Sequence, residues 1–145
     1  MKTLQHKTTE NIIKLNLVTE YAMENKRPKI LVVEDEPLNQ KIARINLETM
    51  GYEVVIANDG FEALKKFDSS YDFILMDIGL PEMDGMEVTR RIREIELSLN
   101  SHVIIIAATA FGNSYKTPCL EAGMDDFLTK PLFEEELEAV LKKYR

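Results

Sequence analysis

The stretch Ile74-Leu75-Met76-Asp77-Ile78-Gly79-Leu80-Pro81-Glu82-Met83-Asp84-Gly85 turns an apolar run of strand length, Phe73 to Met76, into one carboxylate. A loop punctuated by Gly79, Pro81 and Gly85 follows, and then a helical pattern begins. Asp77 therefore stands at the mouth of a buried strand. It reads either as a solvated loop acid or helix cap, or as part of a site, because ligands gather at the carboxyl ends of strands in an open parallel sheet. The rest of the chain decides between the two.

From Lys29 onward, apolar strand-length runs alternate with helical patterns, the signature of strand-helix-strand units on a parallel sheet. Ile30 to Val33 is the first strand. Pro37 opens a helix with Leu38, Ile42 and Ile45 in its stripe, stopped by Gly51. Val54 to Ala57 is the second strand, and Asn58-Asp59-Gly60 caps a helix with Ala63, Leu64 and Phe67 inward. The third strand runs into Asp77. A long stripe of Val88, Ile92, Ile95 and Leu99 follows, then the β-branched run Val103 to Ala108. Asn113 and Ser114 precede a helix with Tyr115, Cys119 and Ala122 on one face, closed by Gly123. Phe127 to Thr129 is a short last strand. The final helix has Glu134, Glu135 and Glu136 in its first turn, Leu137, Val140, Leu141 and Tyr144 on its buried face, and Lys142, Lys143 and Arg145 at its end. Five strands and five helices in strict alternation, with right-handed crossovers, predict a doubly wound α/β sheet covered on both faces.

Residues 1 to 28 are a separate polar stretch. Ile13, Leu17 and Tyr21 recur at i, i+4 and i+8, with Ile12, Leu15, Val18 and Ala22 read as broadening that stripe, which predicts an amphipathic helix over about 9 to 24. Its apolar face calls for a cover: its own domain, a second copy in a homodimer, or a partner protein. A frayed leader is the bland alternative. Asn25-Lys26-Arg27-Pro28 ends it.

Composition narrows the function. With 25 acidic against 18 basic residues the net charge is −7, which argues against a nucleic-acid footprint and against attraction to anionic membranes. The single Cys119 leaves no internal disulfide, and His6 and His102 supply no zinc spacing. Neither a membrane span nor a secretion signal is readable, and a reducing cytoplasm is the expected setting.

In the predicted sheet the residues after each strand share one edge. Strand one ends in Glu34-Asp35-Glu36, strand three in Asp77, strand four in Thr109 and strand five in Thr129-Lys130-Pro131. Carboxylates meeting there repel unless a hard cation sits among them, and Mg²⁺ suits oxygen ligands of this kind. A lysine and a hydroxyl remain to grip an anion. The set describes transfer of a phosphoryl group onto a carboxylate: Asp77 the nucleophile, Glu34 and Asp35 holding the metal, Lys130 and Thr109 neutralising the phosphoryl oxygens. Singly, each residue also reads as an ordinary surface or strand-end group. No GxxxxGK[ST], GxGxxG or GxSxG occurs, so nucleotide cradles and hydrolase elbows lack support.

Val33-Glu34-Asp35-Glu36-Pro37-Leu38-Asn39, the Met76 to Gly85 stretch, Ala108-Thr109-Ala110 and Ala122-Gly123-Met124-Asp125-Asp126-Phe127-Leu128-Thr129-Lys130-Pro131 resemble the receiver domain of two-component response regulators, closest to receivers attached to hybrid sensor kinases. The resemblance covers residues 29 to 145. It implies the flavodoxin-like strand order 2-1-3-4-5. It also implies that Asp77 accepts a phosphoryl group from a phosphohistidine on a histidine kinase or histidine phosphotransfer protein. Mg²⁺ would be held by Asp35, Asp77 and the backbone carbonyl of Gly79, with Glu34 acting largely through water. Thr109 and Phe127 would form the switch pair, Lys130-Pro131 would be cis, and a downstream protein would read the switched face. Such a chain catalyses its own phosphorylation and dephosphorylation without being a turnover enzyme.

Three departures stand out. Glu34 replaces the commoner aspartate, Phe127 the frequent tyrosine, and Gly79 and Phe111 occupy the variable positions beside the site without a group to orient water. A long-lived phosphoryl group is the expectation. A degenerate receiver serving as an interaction module is the alternative, opposed by the intact set Glu34, Asp35, Asp77, Thr109 and Lys130. An aspartyl-phosphate phosphatase would want an aspartate where Gly79 stands. The chain ends soon after the last helix, which reads as a receiver without an output domain or as a piece of a larger kinase.

Overall fold

A computed structural model describes residues 2–24 and 26–145, with side chains from 5 to 21 and from 26 onward. Five strands, β1 (Lys29–Val33), β2 (Glu53–Ala57), β3 (Phe73–Asp77), β4 (Ile104–Thr109) and β5 (Asp126–Thr129), form one parallel sheet in the order β2-β1-β3-β4-β5. The helices are α1 (Lys2–Glu24), α2 (Pro37–Thr49), α3 (Gly60–Lys66), α4 (Gly85–Leu99), α5 (Lys116–Ala122) and α6 (Glu134–Lys143). This is the predicted flavodoxin-like architecture.

Alternation along each strand divides the core into two layers. Leu31, Val33, Ile74, Met76, Ile105 and Ala107 pack with Ala63, Val88, Ile92 and Cys119 beneath α3, α4 and α5. Ile30, Val32, Phe73, Leu75, Ile106 and Ala108 pack with Ala43, Leu47, Leu137 and Leu141 beneath α2 and α6. Each fully buried aliphatic side chain contributes about 1.5–3 kcal/mol. Local signals fix the helix ends. The Asp59 and Asp84 carboxylates cap α3 and α4 by accepting the amides of Glu62 at 2.7 Å and Glu87 at 2.9 Å. Gly123, at φ 110°, closes α5 in a left-handed turn.

Four helices differ from the sequence reading. On α2 the stripe Leu38, Ile42 and Ile45 faces solvent, while Ala43 and Leu47 make the buried contact with the layer that holds Ile30 and Val32. On α4 the inward place after Val88 and Ile92 belongs to Glu96, leaving Ile95 and Leu99 partly exposed, at 37% and 42%. Glu96 is satisfied there by the Val103 amide and by Arg93, both at 2.5 Å, and Arg93 also pairs with Asp125 at 2.8 Å. A 3-10 turn, Gly112–Tyr115, precedes α5, so Tyr115 turns outward against Phe111 instead of joining Cys119.

Helix α1 begins earlier than predicted and is exposed from residue 5 to 21. At about 100° per residue Leu15 lies about 160° and Ile12 about 140° from Leu17, so these two occupy the far side, while Val18, three residues before Tyr21, borders the Ile13-Leu17-Tyr21 stripe. The Ala22 side chain and Asn25 lie outside the described residues. No helix among the described residues is long and apolar enough to cross a membrane.

Candidate functional site

The sheet edge gathers the predicted residues. β3 is the central strand, and Asp77 is its last residue, 8% exposed, paired in register with Ala108 of β4. Glu34 follows β1 directly, is 6% exposed, and its backbone amide extends the β1–β2 ladder by bonding Ala57 at 3.1 Å. Thr109, fully buried, ends β4, and Lys130 follows β5, its amide bonding the Thr109 carbonyl at 2.7 Å. Asp35 is exposed at the mouth.

Glu34, Asp35 and Asp77 each present a carboxylate oxygen, and the three lie within 4.8 Å of one another. The Lys130 ammonium stands 2.7 Å from Glu34 Oε2 and 3.3 Å from Asp77 Oδ2. Burial works against its charge, but the hydrogen bond it donates to Glu34 and the nearby Asp77 and Glu34 charges outweigh that and hold its pKa above the ordinary lysine value. The cluster is oriented from beneath. The Glu36 amide donates to Glu34 Oε1 at 3.2 Å, and the Gly79 amide donates to Asp77 Oδ1 at 3.0 Å. Thr109 Oγ1 accepts the Phe111 amide at 3.0 Å, which turns the β4–α5 loop over the site. Phe111 is exposed, and its ring edge lies 3.6 Å from where a Gly79 side chain would start. Phe127 sits half-buried on β5, packed against the core layer under α5. The Lys130–Pro131 bond is cis.

Two features escaped the sequence reading. A cavity of about 240 Å³ opens beside Asp77 between α2 and α6, walled by Val32, Ala43, Leu75 and Leu137, with Glu34 and Lys130 at its mouth. The other is Gly85: a β-carbon there would collide with the Asp77 carbonyl and meet Ile78 Cα at 2.9 Å. The α4 start is thus pressed against the Asp77 backbone. A glycine three residues before an apolar helical stripe was the available sign.

Residues 30–142 match the response regulator receiver domain. The chain belongs to the response regulator receiver family. Among curated relatives of this receiver, hybrid signal transduction histidine kinase L of Dictyostelium discoideum is 43% identical over 124 residues, covering 80% of the chain and 7% of the relative. Sensor protein GacS of Pseudomonas syringae pv. syringae is 36% identical over 126 residues, covering 84% and 14%. The chain therefore spans only a small part of the curated relatives it matches. Among solved structures, the receiver domain of a Pseudomonas aeruginosa sensor histidine kinase, with magnesium coordinated in its active-site cleft, superposes with a TM-score of 0.73 at 40% identity, covering 81% of this chain and 97% of that one. A chemotaxis response regulator of Vibrio cholerae gives 0.73 at 28% identity, covering 83% and 100%.

The donor set of this receiver fits a divalent cation. Three carboxylates against one ammonium leave two negative charges uncompensated, all ligand atoms are oxygen, and Lys130 occupies only part of their lone pairs.

Proposed function

We propose that this receiver accepts a phosphoryl group on Asp77 from a phosphohistidine of a histidine kinase or histidine phosphotransfer protein, and that a downstream protein reads the result. Residues 29–145 act as the receiver unit and 1–28 as a helical extension. The observation carrying the reading is Asp77 at the end of the central strand, with two further carboxylates within 4.8 Å and the Lys130 ammonium at 3.3 Å.

Asp77 supplies the nucleophile. One carboxylate oxygen forms the new P–O bond while the P–N bond to the donor imidazole breaks, its electron pair leaving with the imidazole nitrogen. Glu34, Asp35, Asp77 and the Gly79 carbonyl would hold Mg²⁺, which when bound neutralises phosphoryl charge. Lys130 turns from Glu34 toward the incoming oxygens and offsets their charge. The Thr109 hydroxyl exchanges the Phe111 amide for a phosphoryl oxygen. That movement opens space inward of the loop, into which the half-buried Phe127 ring turns, altering the surface made by α5, β5 and α6. Inverting the two-state population from about 1:99 to 99:1 needs roughly 5.5 kcal/mol, within reach of several charge-assisted bonds.

Exposed Leu38 and Ile42 on α2, with Phe111 and Phe133 across the mouth, supply apolar contact for the donor protein, and the cavity beside Asp77 can take one of its side chains. The test is intact mass after incubation with Mg²⁺ and acetyl phosphate, beside Asp77→Asn. An added phosphoryl group on the unaltered protein alone is expected. No adduct across donor and metal concentrations would instead favour a degenerate receiver that works as an interaction module.

A further inference from the structure

Two apolar stripes of this chain face solvent in the structure, and they match. Ile13, Leu17 and the Tyr21 ring on α1 are 53%, 60% and 70% exposed; Leu38, Ile42 and Ile45 on α2 are 63%, 47% and 54% exposed. Each stripe occupies one side of its helix over two turns, about 11–12 Å at 1.5 Å per residue. Single exposed apolar residues are ordinary, but two rows of three on one chain represent area that water disfavours.

The connection sets how the stripes can meet. Arg27, just after α1, donates from Nη2 to the Tyr52 carbonyl at 3.0 Å and from Nε to the Gly51 carbonyl at 3.4 Å, and the Pro28 carbonyl accepts the Glu53 amide at 2.9 Å. Gly51 and Tyr52 form the turn that leaves α2. The chain therefore departs from α1 beside the C-terminal end of α2. Tyr21 stands six residues before Arg27, as Ile45 stands six before Gly51. Laid alongside and parallel, α1 brings Tyr21 to Ile45, Leu17 to Ile42 and Ile13 to Leu38 within one residue of a common register. At 23 residues against 13, α1 then overshoots α2 at the sheet edge that holds the acceptor. That overhang carries Lys7 together with His6 and Glu10, which stand 3.2 Å apart, and the edge it reaches carries Glu34, Asp35, Glu36 and Asp77.

We propose that α1 is an intramolecular strap that seats its Ile13-Leu17-Tyr21 stripe on the Leu38-Ile42-Ile45 stripe of α2 and brings its first turns, with Lys7, toward the acidic mouth. The open arrangement described above is the released state. The consequence for signalling rests on the proposed function: the strap covers the α2 surface that a phosphohistidine protein needs, so strap release and donor docking compete. A covalent tether of a few residues keeps the two stripes at millimolar effective concentration, which favours the chain's own helix over a second copy.

The test is a cysteine pair, Leu17→Cys with Ile42→Cys, in the full chain at low micromolar concentration under a mild thiol oxidant. Both positions are surface residues, and the native Cys119 is buried. Leu17→Cys with Leu97→Cys, which places the second thiol on α4 at a position 85% exposed, serves as the control. Expected is an intramolecular disulfide, a monomer lighter by two hydrogens, forming at least about tenfold faster than in the control, as the tether's effective concentration allows. Dimers linked between chains as the main product would overturn the proposal in favour of a second copy. A pair no faster than the control would overturn it outright. The readout is independent of phosphoryl transfer, and acetyl phosphate labelling of the same protein reports separately on Asp77.

Discussion

Gly85 lies directly against the backbone carbonyl of Asp77, so closely that a β-carbon on Gly85 would overlap that oxygen and crowd Met76 Cγ at 2.9 Å. The contacts are backbone and buried side chain, which cannot swing aside. Gly85→Ala is therefore expected to cost about 1–3 kcal/mol, the range for overpacking a well-packed core. It should also displace Asp77 and lower phosphoryl uptake. Urea unfolding with acetyl phosphate labelling checks both, and a variant of unchanged stability would remove the idea that this contact positions the acceptor.

Asp77→Asn should stabilise the protein when no divalent ion is present. Three clustered carboxylates face one ammonium, and Lys130 keeps its closer bond to Glu34 at 2.7 Å when Asp77 loses its charge. Relief of like-charge repulsion predicts a gain of about 1 kcal/mol, roughly 3–5 °C in a domain of this size. Adding Mg²⁺ should narrow the gap, because only the unaltered site gains fully from the ion. Thermal midpoints with chelator and with millimolar Mg²⁺ decide it; a variant less stable than the parent in chelator would contradict the repulsion argument.

The order of elements was legible because apolar runs, glycines and prolines punctuate the chain from Lys29 onward, and the site acids follow those runs directly. What misled were helix faces. On α2 the three larger residues Leu38, Ile42 and Ile45 signal burial more strongly than the pair Ala43 and Leu47, yet it is that pair that meets the sheet. On α4 a buried Glu96 breaks the apolar period, and nothing local announces that Arg93 and the Val103 amide will satisfy it. Gly85 was visible only as punctuation. That it presses on Asp77 follows from the three-dimensional approach of α4 to β3.

Glu62 offers a pH test of the β2–α3 turn. Its carboxylate is held down to about 2 from 4.5, first by the hydrogen bond from Lys66 and then by that from the Asn58 side chain. A depressed folded-state value means the stabilisation is fully present above about 4.5 and is lost as pH falls from there toward 2. Glu62→Gln should be less stable than the parent at pH 7, and the two should converge below pH 4.5. Urea midpoints across pH 3 to 7 measure it, and a gap independent of pH would show that charge plays no part.

With Asp77 as the proposed phosphoryl acceptor, the groups beside it are expected to set the phosphoryl lifetime. The edge of the Phe111 ring and Asp77 Oδ1 both lie 3.6 Å from the position a Gly79 side chain would occupy, and Phe111 leans on Tyr115 with centroids 5.2 Å apart. Neither Gly79 nor Phe111 carries a group able to hold a water for attack on phosphorus. Phe111→Glu places a carboxylate at that rim, 58% exposed and free of core packing, where it can orient such a water. Hydrolysis of the Asp77 phosphoryl group is expected to accelerate about tenfold, equivalent to about 1.4 kcal/mol in the barrier. Phe111→Leu, which removes the ring without adding an acceptor, should leave the rate near that of the parent. Loss of the phosphorylated mass with time, followed after donor removal in all three proteins, separates the cases. Equal decay in the glutamate variant and the parent would mean that lifetime is set elsewhere. Equal acceleration in both variants would mean that the ring shields the phosphoryl group by bulk alone.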